Sequence, residues 1–325
     1  MSLGRRAMTL AALTLTFAPL TSAAAPAEPP SVACAAEIVV LGAGQDAGAP
    51  QIGHAGETEP RLLPASLALI DRKAGKRYLF DATPAITEQL AMLDAIAPPA
   101  QGLGIDGIFL THAHIGHYLG LAWLGREAAG AKGVPVYAMP RLAAFLRDNG
   151  PWSQLVALGN IDLRSLEDLQ AAWNPNEQDK RLWVAAYLAP HRDEYSETVG
   201  FGIMPGSGSA LYLPDIDRWQ GWDTMTGLTL IDQIRGHDLV FIDATFWDDN
   251  ELPGRDMSEI PHPRVTDTMD LLRHLAPEQR AKVHFIHYNH TNPIRDPASA
   301  QSRQVLERGF NIARRGDRYC LSRGR

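Results

Sequence analysis

The stretch THAHIGHYLG, residues 111–120, places three histidines within six positions. It follows GIFL, residues 107–110, which reads as a buried strand delivering a short turn of imidazoles. His112 and His114 stand two apart and can converge on one ion, while His117 opens a following helix and can point to a second. Three imidazoles this close are costly to pack without a shared cation, so the expected chemistry is metal binding.

Other strand ends carry side chains of the same kind. His191 follows an apolar run over 182–190, Asp215 follows LYLP at 211–214, and His287 ends a run over 283–286. Asp81 and Asp243 end two further strands, and His262 precedes a helix. A rigid strand fixes the direction of the side chain at its tip, which is what a metal ligand requires. Zinc takes imidazole and carboxylate donors, and with three protein ligands it lowers the pKa of a bound water toward neutrality. Taken singly, each residue also has a plain reading: a lone histidine packs in a core, and an aspartate ends a strand. His54, His237, His274 and His284 keep that plain reading.

The elements needed to position these residues are legible around them. Strands are expected over 37–41, 66–71, 77–81, 134–138, 182–188, 199–204, 210–213, 239–242 and 283–287, with two short ones around Ile312 and Tyr319. Helices are expected over 84–95, just after Gly120 (with Leu121, Trp123 and Leu124 against a sheet), and over 141–149, 264–275 and 297–308. Residues 150–180 mix Pro, Asn, Gln and charge with isolated tryptophans and read as a partly irregular excursion. The glycine-rich loop at 42–48 does not fit a dinucleotide fingerprint, because no amphipathic helix follows it. Strands followed by helices occur in each half, which points to one domain over 37–325 made of two packed halves.

The amino terminus sets the compartment. Arg5 and Arg6 precede an apolar run over 7–25 that ends in small residues, the pattern of a cleaved secretory signal peptide over 1–25, followed by an exposed linker over 26–36. The run is too short and interrupted for a confident membrane span, so no stable membrane insertion is expected after cleavage. Removing it shifts the net charge from −7 to −9, since it holds two arginines and no acids. A protein that acidic is a poor partner for nucleic acid, and a small-molecule substrate is expected instead. A periplasmic or secreted location permits a disulfide. The two cysteines, Cys34 and Cys320, lie at opposite ends of the mature chain; they either pair and tie the termini together or remain as two free thiols.

In this order, Asp81, the HxHxxH cluster, His191, Asp215 and His287 resemble the metallo-β-lactamase fold superfamily. The segments DATFWDDNEL at 243–252 and HYNHTNPI at 287–294, with APQ at 49–51, resemble the branch that holds coenzyme PQQ biosynthesis protein B, phosphodiesterases and tRNA-processing enzymes. The resemblance implies an α/β (α+β) fold, a four-layered αβ/βα sandwich. It implies His112, His114 and His191 as ligands of a first metal, Asp215 as a bridge, and His117 and His287 in a second site. Asp81 and Asp243 would support the ligands from behind, and His262 would act as a general acid beside a catalytic Asp215. One position departs from the family: Gly116 stands where the pattern has an aspartate serving the second metal. That leaves at most His117, His287 and Asp215 there, so the expected cofactor is one or two Zn2+, with Fe2+ as an alternative.

Three functions follow from these residues. The first is an exported zinc-dependent hydrolase using a metal-bound hydroxide on an ester, lactone, amide or phosphodiester. The second is an iron-dependent oxidative enzyme of the PQQ-related kind. The third is a periplasmic binding protein that kept the fold and lost the chemistry, as Gly116 permits.

Overall fold

The computed structural model describes residues 34–57, 60–166, 172–175 and 181–323. The expected signal peptide and most of the expected linker lie outside the described residues. The apolar runs form two mixed sheets of seven strands each. One sheet contains β1 (Cys34–Gly42), β2 (Ser66–Asp71), β3 (Lys76–Phe80), β4 (Gly107–Phe109), β5 (Val134–Ala138) and β6 (Ile161–Ser165) in that order. The other contains β7 (Ala172–Trp173), β8 (Leu182–Leu188), β9 (Val199–Pro205), β10 (Ala210–Leu213), β11 (Leu239–Asp243), β12 (Val283–Ile286) and β13 (Asn311–Ile312). The last strand, β14 (Arg318–Arg323), returns to pair with β1 at the edge of the first sheet.

The two sheets repeat one plan. β1 to β3 pair antiparallel, and β3 to β6 pair parallel. Likewise β7 to β10 pair antiparallel, and β10 to β13 pair parallel. Parallel strands need crossovers and are buried on both faces, which is why β4, β5, β11 and β12 read as short apolar runs without alternation.

The helices are α1 (Ile86–Ile96), α2 (Ile115–Tyr118), α3 (Pro140–Asp148), α4 (Trp152–Ala157), α5 (Trp222–Thr226), α6 (Leu230–Gly236), α7 (Val265–Leu271), α8 (Pro277–Arg280) and α9 (Ala300–Glu307). Between the sheets, Phe80 and Phe109 of the first meet Phe201 of the second, with ring centroids 5.6–5.8 Å apart. Each fully buried phenylalanine of this kind contributes about 1.5–3 kcal/mol. Leu93 of α1, Leu142 and Leu146 of α3 and Leu155 of α4 form a second core with Val39, Ala68, Ile108 and Val136 of the first sheet. Helices α5, α6 and α9 pack against β8, β11 and β13. The order is helix, sheet, sheet, helix: the four layers expected.

Some boundaries differ from expectation. Strand β1 begins at Cys34, inside the expected linker, because Cys34 is disulfide-bonded to Cys320 of β14 with Cα atoms 5.7 Å apart. The buried Glu37 reinforces this edge by accepting from Arg72 Nη2 at 2.5 Å and Arg318 Nε at 2.6 Å. The excursion over 150–180 contains α4, β6 and β7, and its strands lie at the outer edges of the two sheets. An edge strand packs on fewer sides, so its sequence tolerates the polar residues that obscured it. After His117 the chain forms a 3-10 turn over Leu119–Leu124 that leaves Trp123 exposed rather than packed. Helix α7 stops at Leu271, short of the expected 275. No helix among the described residues is long and apolar enough to cross a membrane.

Candidate metal centre

The carboxylate of Asp215, one residue removed from β10, is the hub of the site and is buried. Its Oδ2 lies 3.2 Å from His191 Nε2, 3.3 Å from His112 Nε2, 3.8 Å from His287 Nε2, and 3.9 Å from both His114 Nδ1 and His117 Nε2. Five imidazole nitrogens thus ring one oxygen. They divide into two groups. Donor atoms of His112, His114, His191 and Asp215 lie within 4.8 Å of one another, and so do those of Asp46, His117 and His287.

Each ring is aimed by a partner behind it. His117 donates from Nδ1 to Asp81 Oδ2 at 2.8 Å, which turns its Nε2 toward the centre. Asp81 is itself fixed by Thr111 N at 2.8 Å and Tyr212 OH at 3.0 Å. His191 Nδ1 meets Asp217 Oδ1 at 2.6 Å. His287 Nδ1 meets Thr245 Oγ1 at 3.1 Å, and Thr245 Oγ1 in turn donates to Asp243 Oδ1 at 2.7 Å. Asp243 Oδ2 accepts from Ile216 N at 3.0 Å and from His262 Nδ1 at 2.8 Å, so one carboxylate steadies both the backbone beside Asp215 and the His262 ring. His262 Nδ1 also lies 3.3 Å from Asp215 Oδ1.

The backbone marks the same place. Among the described residues, the non-glycine positions with positive φ are Asp46 (34°), Asp81 (69°), His262 (94°) and His287 (65°), and every one belongs to this site. Such conformations cost about 1–3 kcal/mol each and persist where surrounding structure enforces them, typically at functional sites.

The electrostatics are those of a buried charge cluster. Burial alone would push the Asp215 carboxyl up, but the charges of His191, His262 and His287 hold it well below the usual carboxylate range. Burial lowers His191, yet Asp215 and then Asp217 outweigh it and raise the ring to about 10. Burial drives His112 and His287 well below the ordinary imidazole value. His262 is raised: burial lowers it, and the charge of Asp243, followed by Asp215, more than compensates.

The residues fit a metal. His112 Nε2, His117 Nε2, His287 Nε2, Asp215 Oδ1 and Asp46 Oδ1 are buried with no hydrogen-bond partner among the described residues. Buried polar atoms left unpaired are rare and costly, and cations held in the two groups would supply the missing partners. Both cysteines are in the disulfide, so the donors are nitrogen and oxygen only.

All nine residues expected from the sequence meet here: His112, His114, His117, His191, Asp215 and His287 at the centre, Asp81 and Asp243 behind them, with His262 beside Asp215. One expectation is corrected. The second pocket is not limited to His117, His287 and Asp215, because Asp46 from the loop after β1 supplies a carboxylate. The sequence signals Asp46 only indirectly, through the missing acid at 116. Asp217 also went unmarked, though it stands two residues after Asp215; Thr245 and Thr111 carry no signal that separates them from other buried threonines.

A cavity of about 460 Å³ opens beside the centre, lined by His262, Asp217, Trp219 and Arg264 among others. Trp219 supplies aromatic surface to this cavity. Trp152, Trp222 and Trp247 are buried in the cores.

This fold and a histidine–aspartate centre at its strand ends define a metallo-β-lactamase-type protein. The model of the β-lactamase superfamily domain matches residues 76–288, and the chain belongs to that family. Coenzyme PQQ synthesis protein B of Pseudomonas fluorescens (strain SBW25) is 27% identical over 257 residues, covering 72% of this chain and 80% of the relative. Zn(2+)-bound PqqB from Methylobacterium extorquens has a similar fold, with a TM-score of 0.70 at 22% identity over 88% of this chain and all of that one. A diphosphatase of the PhnP family follows with a TM-score of 0.60 at 22% identity, over 88% of this chain and 98% of that one.

Proposed function

We propose that this protein is an exported metal-dependent hydrolase of a small ester, lactone, amide or phosphodiester. The observation that carries the reading is the single Asp215 oxygen ringed by five imidazole nitrogens. His112, His114, His191 and Asp215 would hold one divalent cation, with zinc the expected metal. Bound there, such a cation supplies a Lewis acid and makes a water acidic enough to ionise near neutral pH.

The chain's own groups supply the remaining chemistry. His262 keeps its proton because Asp243 and Asp215 face it. With Nδ1 committed to Asp243, its Nε2 is the atom available to protonate a leaving group. Asp215, whose Oδ1 lies 3.3 Å from His262 Nδ1, would orient an attacking water. Arg218 lies at the cavity wall, but Asp217, Asp249, Glu259 and Asp267 line it as well. That balance suits a small substrate and repels a nucleic acid backbone. The disulfide fits an oxidising compartment, which supports export to the periplasm or beyond.

Metal analysis of the purified protein alongside a panel of phosphodiester, lactone and β-lactam substrates tests the reading. We expect bound zinc and turnover that disappears on chelation; less than about half an equivalent of any transition metal would sink it. A donor set without thiolate suits iron(II) equally, and an iron-dependent oxidative reaction is the second reading. Oxygen consumption by an iron-loaded sample without hydrolysis would select it. For export, amino-terminal sequencing of the protein recovered from the periplasm should find a start near residue 26; an intact Met1 there would refute cleavage.

A further inference from the structure

Gly116 and Asp46 occupy one place. A Cβ built on Gly116 would lie 2.5 Å from Asp46 Cα, 2.7 Å from Asp46 Oδ1 and 3.1 Å from Asp46 O. No side chain fits at 116 unless the Asp46 backbone moves. The carboxylate of Asp46 therefore fills the space that a side chain from 116 would need. Its Oδ1 is buried and without a hydrogen-bond partner among the described residues, as are the Nε2 atoms it faces on His117 and His287. The three donors lie within 4.8 Å of one another.

The loop holds Asp46 in place rather than letting it drift. Gln45 N donates to Tyr288 O at 3.0 Å, and Tyr288 N donates back to Ala43 O at 3.0 Å, which straps the loop to the residue next to His287. Gly48 N closes a turn on Gln45 O at 2.7 Å, and Ala49 N is fixed to Leu62 O at 2.8 Å. Asp46 itself has a positive φ, a conformation uncommon for a non-glycine residue. Backbone on both sides thus aims an otherwise unsatisfied carboxylate at two unsatisfied imidazoles.

We propose that Asp46 is the carboxylate ligand of a second divalent cation, held with His117 and His287 and bridged through Asp215 to the first. The acid absent at 116 has been replaced from another segment, and Gly116 is the clearance this requires. The pocket keeps its negative charge, so it is a cation site and not a relic. The inference rests on the metal-centre reading above, and its test is cation stoichiometry rather than turnover.

The experiment uses the mature protein and its Asp46→Ala and Asp46→Asn variants, each titrated with zinc and with cobalt(II). Bound metal is read by mass spectrometry and the cobalt sites by visible absorption. Wild type should bind two cations per chain. Both variants should keep the first with unchanged affinity and lose at least about tenfold in affinity for the second. Retention of the first cation and an unchanged circular dichroism spectrum show that the variants fold; Asp46→Asn preserves the side-chain shape should Asp46→Ala disturb the loop. Two cations bound equally tightly by wild type and both variants would overturn the proposal, as would a wild type that saturates at one. A wild type that binds none would instead refute the metal-centre reading itself.

Discussion

The two pockets that share Asp215 are built differently. The first takes His112 and His114 from one turn and His191 from another, and it borders solvent: the His114 side chain is 18% exposed and lies 3.5 Å from Glu194. The second takes His117 and His287, both fully buried, and each ring is locked by a buried Asp or Thr behind it. One pocket is open on the side from which a substrate can come. The other is closed on the side of its two fully buried histidines, and its acid comes from the loop after β1. The contrast teaches that an open pocket needs few ligands close in sequence, whereas an enclosed one is assembled by the fold as a whole.

Removing the shared hub should erase the contrast. Asp215→Asn takes the bridging charge from both pockets, so bound metal should fall from about two equivalents to nearly none, and hydrolysis should drop by on the order of a thousandfold or more. Metal analysis and single-turnover assays check this; a variant that still held one tight cation would mean the pockets are independent.

A second test concerns a buried carboxyl that ties together two segments leading to the site. Glu251 accepts from Thr291 Oγ1 at 2.5 Å and from Trp247 N, joining the segments that carry Asp243 and His287. Burial raises its carboxyl to about 7. The folded protein therefore binds a proton that the unfolded chain has released. Glu251 favours folding below the ordinary carboxylate value of about 4.5, and this contribution is lost as pH rises through 7. The loss amounts to up to about 3 kcal/mol. Glu251→Gln should flatten the fall in stability between pH 5 and 8 in urea titrations; an identical slope in the two proteins would refute the assignment.

The finest test separates the pockets through their supports. Asp217→Asn loosens His191 and should weaken the first cation by about 10–100-fold while sparing the second. Asp81→Asn loosens His117 and should do the reverse, by a similar factor. Competition titration with a chromogenic chelator distinguishes them. If both variants weakened the same cation, the division of ligands between pockets would be wrong.

The same contrast governs what could be read from the sequence. His112, His114 and His117 fall in one short motif, and His191, Asp215 and His287 each end an apolar strand, so chemistry and position coincide in the chain. Asp46 has neither advantage. It sits in a glycine-rich loop with no periodicity, and its role depends on a clearance at Gly116 that only three-dimensional packing reveals. The layers were legible because parallel strands such as β5 and β12 must be apolar on both faces. Strands β6 and β7 were not, since edge positions relax that demand. The pairing of Cys34 with Cys320 was one of two outcomes open from the sequence, but the start of β1 at Cys34 was missed, because that end of the strand is fixed by a partner from the far end of the chain.

That pairing makes the described chain a covalent ring. The Cys34–Cys320 bond spans 286 residues, so every group at the metal centre lies on one closed loop. The strand that completes the first sheet comes from the far side of that loop, and β1 has an open edge until β14 pairs with it. Contacts between such distant positions form slowly, because loop closure must come before any gain from pairing. Once that closure is made, the Cys34–Cys320 bond removes the freedom of β1 and β14 to peel apart at the sheet edge.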